Sequence, residues 1–421
     1  MFKLKYLFLG LIFLLIGCKS AQVSKKITKQ LNSSLFNNQF TGVLIYNPKS
    51  NDTLFSFNAN KYFTPASNTK IFTLYTGLQY LPEKIPAFKY TIKKDTLTVL
   101  GTGDPSFLHS YFKDSTALKM FKNYKNVALI IDNIKDEKYG PGWAWEDYDT
   151  YFSPERSSFP MYGNILTVDF EKDSLINPKI LKNNVQFKKS NFNRDYYSNH
   201  FYYQPKNKKL KEIPMVMDSL LITKLWNDLL PNKVSIKSNS VKKLEHTAYS
   251  IPSDSLYKRM MLESDNFLAE QLLILASSTV SDTLNSTMIR KKILETHLKD
   301  LKQKPRWVDG SGLSRYNLFT PTSFVQVLTK LHSEIPKDRL FNFFPVGGKL
   351  GTLKNWYVGN PTPYIYAKSG TVGNNYSLSG YLITKSGKVL IFSFMNNHYT
   401  TKTNDVRKQM QTIFEFIRDN Y

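Results

Sequence analysis

The chain has a single cysteine, Cys18, among its 421 residues. One cysteine excludes a disulfide framework within the chain and any multi-cysteine zinc site. Histidine is sparse too, and His109, His200, His246, His297, His332 and His398 show no paired metal-ligand spacing. No metal or organic cofactor is implied. Acidic residues are few beside basic ones, 33 against 57, which gives a formal charge of +24. That balance favours an anionic partner, whether nucleic acid, acidic lipid headgroups or a carboxylate-bearing cell wall. The lysines are scattered, with only short pairs such as Lys25–Lys26 and Lys208–Lys209, so nucleic acid is not the expected partner. Internal repeats and long low-complexity tracts are absent. The apolar run Tyr6–Gly17 is too short to span a bilayer.

That run has another use. Lys3 and Lys5 precede it and Cys18 ends it, which is the layout of a signal peptide over residues 1–17. Leu15-Ile16-Gly17-Cys18 resembles the lipobox of bacterial lipoproteins. The resemblance implies a diacylated Cys18 at the mature N-terminus, and two acyl chains suffice for stable anchoring. The expected location is the periplasmic face of a bacterial cell envelope, lipid-anchored to membrane through Cys18.

The pattern of apolar residues predicts elements at both ends of the chain. Ile27, Leu31 and Leu35 suggest a helix over Ser24–Asn38. Thr41–Tyr46 and Thr53–Phe57 predict a hairpin around the turn-rich stretch 47–52. A helix follows Pro65. Residues 85–245 differ in character: they are rich in Lys, Asn, Asp and Tyr, with short strand-like runs such as Leu97–Leu100 and Val127–Ile131. They predict a β-rich inserted domain. Beyond it come a helix over Tyr257–Ser277, strands over Tyr364–Ala367, Tyr376–Thr384 and Val389–Met395, and a helix near Thr403–Asn420. The expected division is therefore 18–84 and 246–421 as two parts of one domain built on a shared sheet, with 85–245 inserted.

Three short motifs carry chemistry. Ser67-Asn68-Thr69-Lys70 places an amine one helical turn from a hydroxyl. A serine is a poor nucleophile until a base takes its proton, and a lysine serves when burial lowers its pKa. Alone the pattern is weak, since Ser110, Ser240 and Ser255 start similar ones. Ser264-Asp265-Asn266 puts three polar residues inside an otherwise apolar helix, where they need partners. Lys368-Ser369-Gly370-Thr371 sits at the end of a predicted strand, where a cation and hydroxyls can hold a carboxylate. Lys385-Ser386-Gly387, between two strands, is an ordinary hairpin turn and serves as an internal control.

In that order the motifs match the S-x-x-K, S-D-N and K-T-G set of penicillin-binding proteins and class A β-lactamases. The chain resembles the class C low-molecular-mass penicillin-binding proteins, the D-Ala-D-Ala carboxypeptidase/endopeptidases. Gly101–Ser106, Gly142–Asp147, Asp309–Arg315 and Gly348–Leu353 are similar to further stretches of that family. The motif serines Ser67 and Ser264 lie 197 residues apart, far more than in a class A β-lactamase.

The resemblance implies a penicillin-recognising serine transpeptidase-like α/β domain, an antiparallel sheet flanked by helices, with the β-rich insertion. It implies Ser67 as nucleophile, Lys70 as general base and Ser264 as proton relay to the leaving amine. Asn266, Lys368, Ser369, Gly370 and Thr371 would bind substrate. Asp132 would face the amino end of a diaminopimelate side chain. The implied partners are peptidoglycan stem peptides and β-lactams. The third motif departs from the family in reading Lys-Ser-Gly, which keeps the hydroxyl and drops a methyl. Two other readings use the same scaffold: a catalytically silent peptidoglycan-binding lipoprotein, and a serine β-lactamase or esterase. Trp143 and Trp145 are read as a packed aromatic corner, with sugar stacking as the functional alternative.

Overall fold

The structure is a computed structural model that describes residues 21–170, 175–204, 206, 209–238 and 244–421. Cys18 and its apolar run lie outside the described residues, as does Ser240. No described helix is long and apolar enough to cross a membrane.

Both ends of the chain build one five-stranded sheet. Strands β1 (Phe40–Asn47) and β2 (Asp52–Phe57) form the expected hairpin, closed by Asn51 in the left-handed region. Asparagine tolerates that conformation better than most residues. β1 then pairs antiparallel with the last strand of the chain.

The insertion, after β2, contributes β3 (Lys84–Lys93), β4 (Thr96–Gly101) and β5 (Asn126–Ile130). It continues with β6 (Ile165–Asp169), β7 (Leu175–Asn177), β8 (Val185–Gln186) and β9 (Phe201–Tyr202). β10 (Lys211–Pro214), β11 (Val234–Lys237) and β12 (His246–Pro252) complete it. The chain then returns with β13 (Ile365–Val372), β14 (Asn375–Ile383) and β15 (Val389–Asn397). The shared sheet has the order β13-β14-β15-β1-β2, antiparallel throughout.

This sheet is covered on both faces, so its strands lack the polar alternation of a half-exposed strand. On β14, Tyr376, Leu378 and Leu382 face a core formed with the helices 21–31 and Thr403–Asn420. The alternate positions Ser377, Ser379 and Tyr381 face the other way, because side chains reverse at every residue of a strand. Tyr381 belongs to the second core, under the helices Lys70–Tyr80, Asn266–Ser278 and Pro321–Glu334. Two serines on a core-facing side mark where the packing gives way to a site.

The insertion has its own core around fully buried Trp226, whose ring stacks on Phe107 and Phe121 at 5.1 and 4.7 Å. Its main sheet has the order β11-β5-β4-β3-β12, with β4–β5 and β5–β11 parallel. β12 pairs with β3, so hydrogen bonding carries this sheet past residue 245 to Pro252.

Three expectations need correction. The helix expected over Ser24–Asn38 is a helix over 21–31 followed by a separate short one, Ser34–Asn37. The helix expected over Tyr257–Ser277 is two helices, Ser253–Glu263 and Asn266–Ser278. Ser264 breaks them apart by adopting φ +58°. Apolar spacing runs straight across the break, which partly hides it in the sequence. The third motif also lies inside β13 rather than at its end, since Lys368 to Thr371 all pair with β14.

Candidate active site

The nucleophile turn is built by close backbone contacts. Ala66–Thr69 forms one 3-10 turn that runs into the helix Lys70–Tyr80. Ala66 itself is held at φ +49°, a conformation costing an ordinary residue about 1–2 kcal/mol. What over-determines it is Gly312, from the Asp309–Arg315 loop. A Cβ on Gly312 would lie 1.9 Å from the Ala66 carbonyl oxygen, so only glycine lets the two backbones meet. From the other side comes β13. A Cβ on Gly370 would lie 2.6 Å from the Pro65 carbonyl oxygen and 2.9 Å from the Ser67 amide nitrogen. The glycine of the third motif therefore seats the strand against the serine turn. Asn68 Nδ2 donates to Ser379 Oγ at 2.8 Å, tying the turn to β14 as well.

Lys70 emerges from this turn with no exposed surface. Its Nζ lies 3.0 Å from Ser67 Oγ, 2.7 Å from Asn266 Oδ1 and 2.8 Å from the Ser311 carbonyl oxygen. Burial pulls its pKa from the usual lysine range down to about 8, against the pull of the Asp265, Asp309 and Glu270 carboxylates. A neutral amine has two N–H bonds and one lone pair. With Asn266 and Ser311 taking the two N–H bonds, the lone pair is left for the Ser67 hydroxyl.

A second lysine closes the other side. Lys368 is wholly buried in β13, and its Nζ donates to Ser264 Oγ at 2.8 Å and to the Ser369 carbonyl at 2.7 Å. Burial and the nearby Lys70 charge hold its pKa well below the usual range. Ser264 meets it because the left-handed turn between the two helices presents that hydroxyl. Asn266 opens the second helix, and its Nδ2 donates to the Phe152 carbonyl at 3.1 Å, which fixes which end of the amide faces Lys70. Ser369 Oγ lies 2.9 Å from Thr352 Oγ1, and Thr371 is exposed at the rim.

Ser67, Lys70, Ser264, Asn266, Lys368, Ser369 and Gly370 thus come together. Asp132 is exposed just after β5, next to Asn133, whose Nδ2 donates to the Gly101 and Asp282 carbonyls.

Several residues that support the site were not picked out from the sequence as site residues. Glu270 Oε1 accepts from the Ser311 amide at 2.8 Å, and so sets the carbonyl that receives the Lys70 amine. Its other oxygen pairs with Arg156 at 2.6 Å, both side chains being almost wholly buried. Burial pushes the Glu270 carboxyl up, but the Arg156 guanidinium and the Ser311 hydrogen bonds outweigh it and hold the group below its usual range. Asp309 accepts from the Gly312 and Ser314 amides, Asn317 Nδ2 and Trp143 Nε1. Burial and Glu270 together raise its pKa. A sequence signal existed for Glu270, a lone acid in the apolar run Phe267–Leu275. Its partner lies 114 residues away in the chain and had none.

A model of the D-Ala-D-Ala carboxypeptidase 3 (S13) family matches residues 23–244 and 230–416. The chain is 23% identical to the penicillin-sensitive carboxypeptidase A of Dictyostelium discoideum, over 89% of this chain and 86% of that one. It is also 23% identical to the D-alanyl-D-alanine carboxypeptidase DacB of Haemophilus influenzae, over 90% of each. Its fold matches the crystal structure of penicillin binding protein 4 from H. influenzae with a TM-score of 0.69, at 20% identity, covering 94% of this chain and 98% of that one. By the extent of the family match, the chain belongs to the D-Ala-D-Ala carboxypeptidase 3 (S13) family.

Proposed function

We propose that the chain cleaves D-Ala-D-Ala termini, D-Ala–diaminopimelate cross-links, or both, through an acyl-enzyme on Ser67. Family membership makes it a serine D-Ala-D-Ala carboxypeptidase, an enzyme acting on peptidoglycan. The observation that carries the residue assignment is the buried Lys70 amine, 3.0 Å from Ser67 Oγ with its other contacts already taken.

In this reading Lys70 takes the Ser67 proton as Oγ attacks the carbonyl of the penultimate D-alanine. The developing oxyanion is held by the backbone N–H groups of Ser67 and Thr371, a pairing supported by Gly370, next to Thr371, seating β13 against the serine turn. The C–N bond then breaks, and the leaving amine receives its proton through Ser264, itself hydrogen-bonded to Lys368. Ser369 and Thr371 hydroxyls bind the terminal carboxylate, and Asn266 meets the substrate's peptide group. Water attacks the ester and releases Ser67. A β-lactam follows the same first step, and the H. influenzae relative of this fold is known in complex with one.

Asp132 is assigned to the amino end of a diaminopimelate side chain, on the strength of the family resemblance. The N-terminus is assigned to a lipid anchor on Cys18 and the protein to the periplasmic face of the cell envelope, on the lipobox-like Leu15–Cys18. Mass analysis of the mature N-terminal peptide tests the anchor: an unmodified Cys18 would rule it out. The catalytic assignment is tested by labelling with a fluorescent penicillin and mapping the adduct. A lasting adduct on Ser67 is expected. Intact penicillin with no adduct would favour a silent wall-binding protein, and rapid hydrolysis without an adduct a β-lactamase.

A further inference from the structure

The insertion carries a cluster of exposed rings. Trp145 is 71% exposed and Tyr197 88% exposed. With Phe192, Tyr196, Tyr148 and the Asp195 carboxylate they line an open cleft of about 650 Å³. Exposed aromatic surface of this density marks an interaction site more often than chance.

These rings are held, not loose. Arg194 is fully buried, and its Nη1 donates to the carbonyls of Asp195, Tyr196 and Ser198. Its Nε donates to the Pro214 carbonyl at 2.8 Å, and its guanidinium lies 5.2 Å from the Tyr148 ring. Tyr148 donates its hydroxyl to the Arg194 carbonyl, while Asn193 is bound through its amide and side chain to Asp149. Two segments, 145–152 and 192–200, are thus clamped together under the exposed rings. A surface ordered in advance loses little entropy when a ligand arrives.

The platform is tied to the catalytic site through its own backbone. The segment that bears Trp145 and Tyr148 ends at Phe152, whose carbonyl holds Asn266. We infer that this aromatic cleft is a subsite for the glycan of peptidoglycan, taking N-acetylated hexosamine rings face-on. This inference rests on the proposed peptidoglycan substrate. There the scissile bond lies at the far end of a stem peptide whose other end is joined to sugar. A five-residue stem spans at most about 17 Å when extended, so a bound stem carries its glycan close to the site. The chemistry matches: ring faces suit the apolar C–H faces of a sugar, and Asp195 and Ser198 offer an acceptor and a hydroxyl to its polar edge. Asp195 is already oriented by the Tyr202 hydroxyl at 2.7 Å.

The test uses the mature protein and the Trp145→Ala/Tyr197→Ala double variant, whose exposed side chains leave the core untouched. The first probe is a soluble β-1,4-linked N-acetylglucosamine tetramer, with binding read by NMR. The second readout compares turnover of intact sacculi with that of a free D-Ala-D-Ala tripeptide. The wild type is expected to bind the tetramer. The variant is expected to bind about tenfold more weakly and to lose about tenfold on sacculi, with tripeptide turnover unchanged. No tetramer binding by a wild type that turns over tripeptide would overturn the subsite. So would equal sacculus turnover by the two proteins, which would leave the rings to a protein partner. A wild type that binds the tetramer but cleaves neither substrate would instead sink the peptidase reading and leave the subsite standing.

Discussion

Lys70 gives the sharpest test of the mechanism, because its role depends on its being neutral. Its pKa is pulled down to about 8, chiefly by burial. About one-tenth of the amine is then neutral at pH 7 and about nine-tenths at pH 9. The second-order rate of acylation by a fluorescent penicillin should therefore rise about tenfold from pH 7 to 9 and then level off. An ordinary lysine near 10.4 would instead give a rise of about a hundredfold over that span, still climbing between pH 9 and 10. A rate of that second form would refute the argument that burial makes Lys70 the base. A flat profile would remove Lys70 from the proton transfer altogether. The same shift bears on stability. Folding holds the amine at a lower pKa than the unfolded chain does, so above pH 8 the unfolded state binds the extra proton. Stability from this group is thus missing at neutral pH, by about 3 kcal/mol, and returns as pH rises from 8 toward 10.5. A thermal midpoint that climbs between pH 8 and about 9.5, before tyrosines ionise, is the expected sign.

Breaking the buried Arg156–Glu270 pair should cost about 3–5 kcal/mol, measured as a fall in thermal or denaturant midpoint. Glu270→Gln keeps an acceptor for the Ser311 amide and should lose more stability than acylation rate, whereas Glu270→Ala should lose both. Equal acylation by the two variants would remove Glu270 from the positioning of Lys70. Gly370→Ala puts a methyl 2.6 Å from the Pro65 carbonyl oxygen and should slow acylation by about a hundredfold, since misplacements of ~1 Å have that effect. A full-rate variant would show that the strand is free to move off the serine turn. Trp226→Ala empties the centre of the insertion core and should destabilise it by about 3–5 kcal/mol, read by circular dichroism. Asp132→Asn should lower turnover of diaminopimelate-bearing peptides relative to lysine-bearing ones, and an unchanged ratio would discard that assignment.

Much of this was legible in the residues. The hairpin and the final helix show their apolar spacing plainly, because each buries one face against a neighbour that imposes the period. The break at Ser264 was only partly legible. Apolar residues continue at helical spacing on both sides, but the Ser264-Asp265-Asn266 trio also suits a local cap, and Asp265 does cap the second helix at the Leu268 amide; the Ser264–Lys368 contact, made 104 residues away, had no local signal. The strand through the third motif was cut short at Ala367 for a related reason. Lys368 to Thr371 look like a loop by composition, yet they pair residue for residue with Ser379, Leu378, Ser377 and Tyr376 of β14. Trp143 is tied to Asp309 by its indole N–H, whereas Trp145 points to solvent, so neighbouring tryptophans divide between packing and exposure.

By itself the sequence determined which chemical groups are available and in what order: a serine and a lysine one turn apart, a polar trio in an apolar helix, and a lysine-serine-glycine beside a strand. Spacing within one element is a local property, set by backbone geometry. The tertiary structure alone decided what those groups do. It supplies the acceptors that occupy the Lys70 amine, the glycines that let three backbones converge on Ser67, and the ion pair that holds the Ser311 carbonyl. Those depend on burial and on contacts between residues far apart in the chain. A lysine becomes a base only where water is excluded and its other hydrogen bonds are already filled.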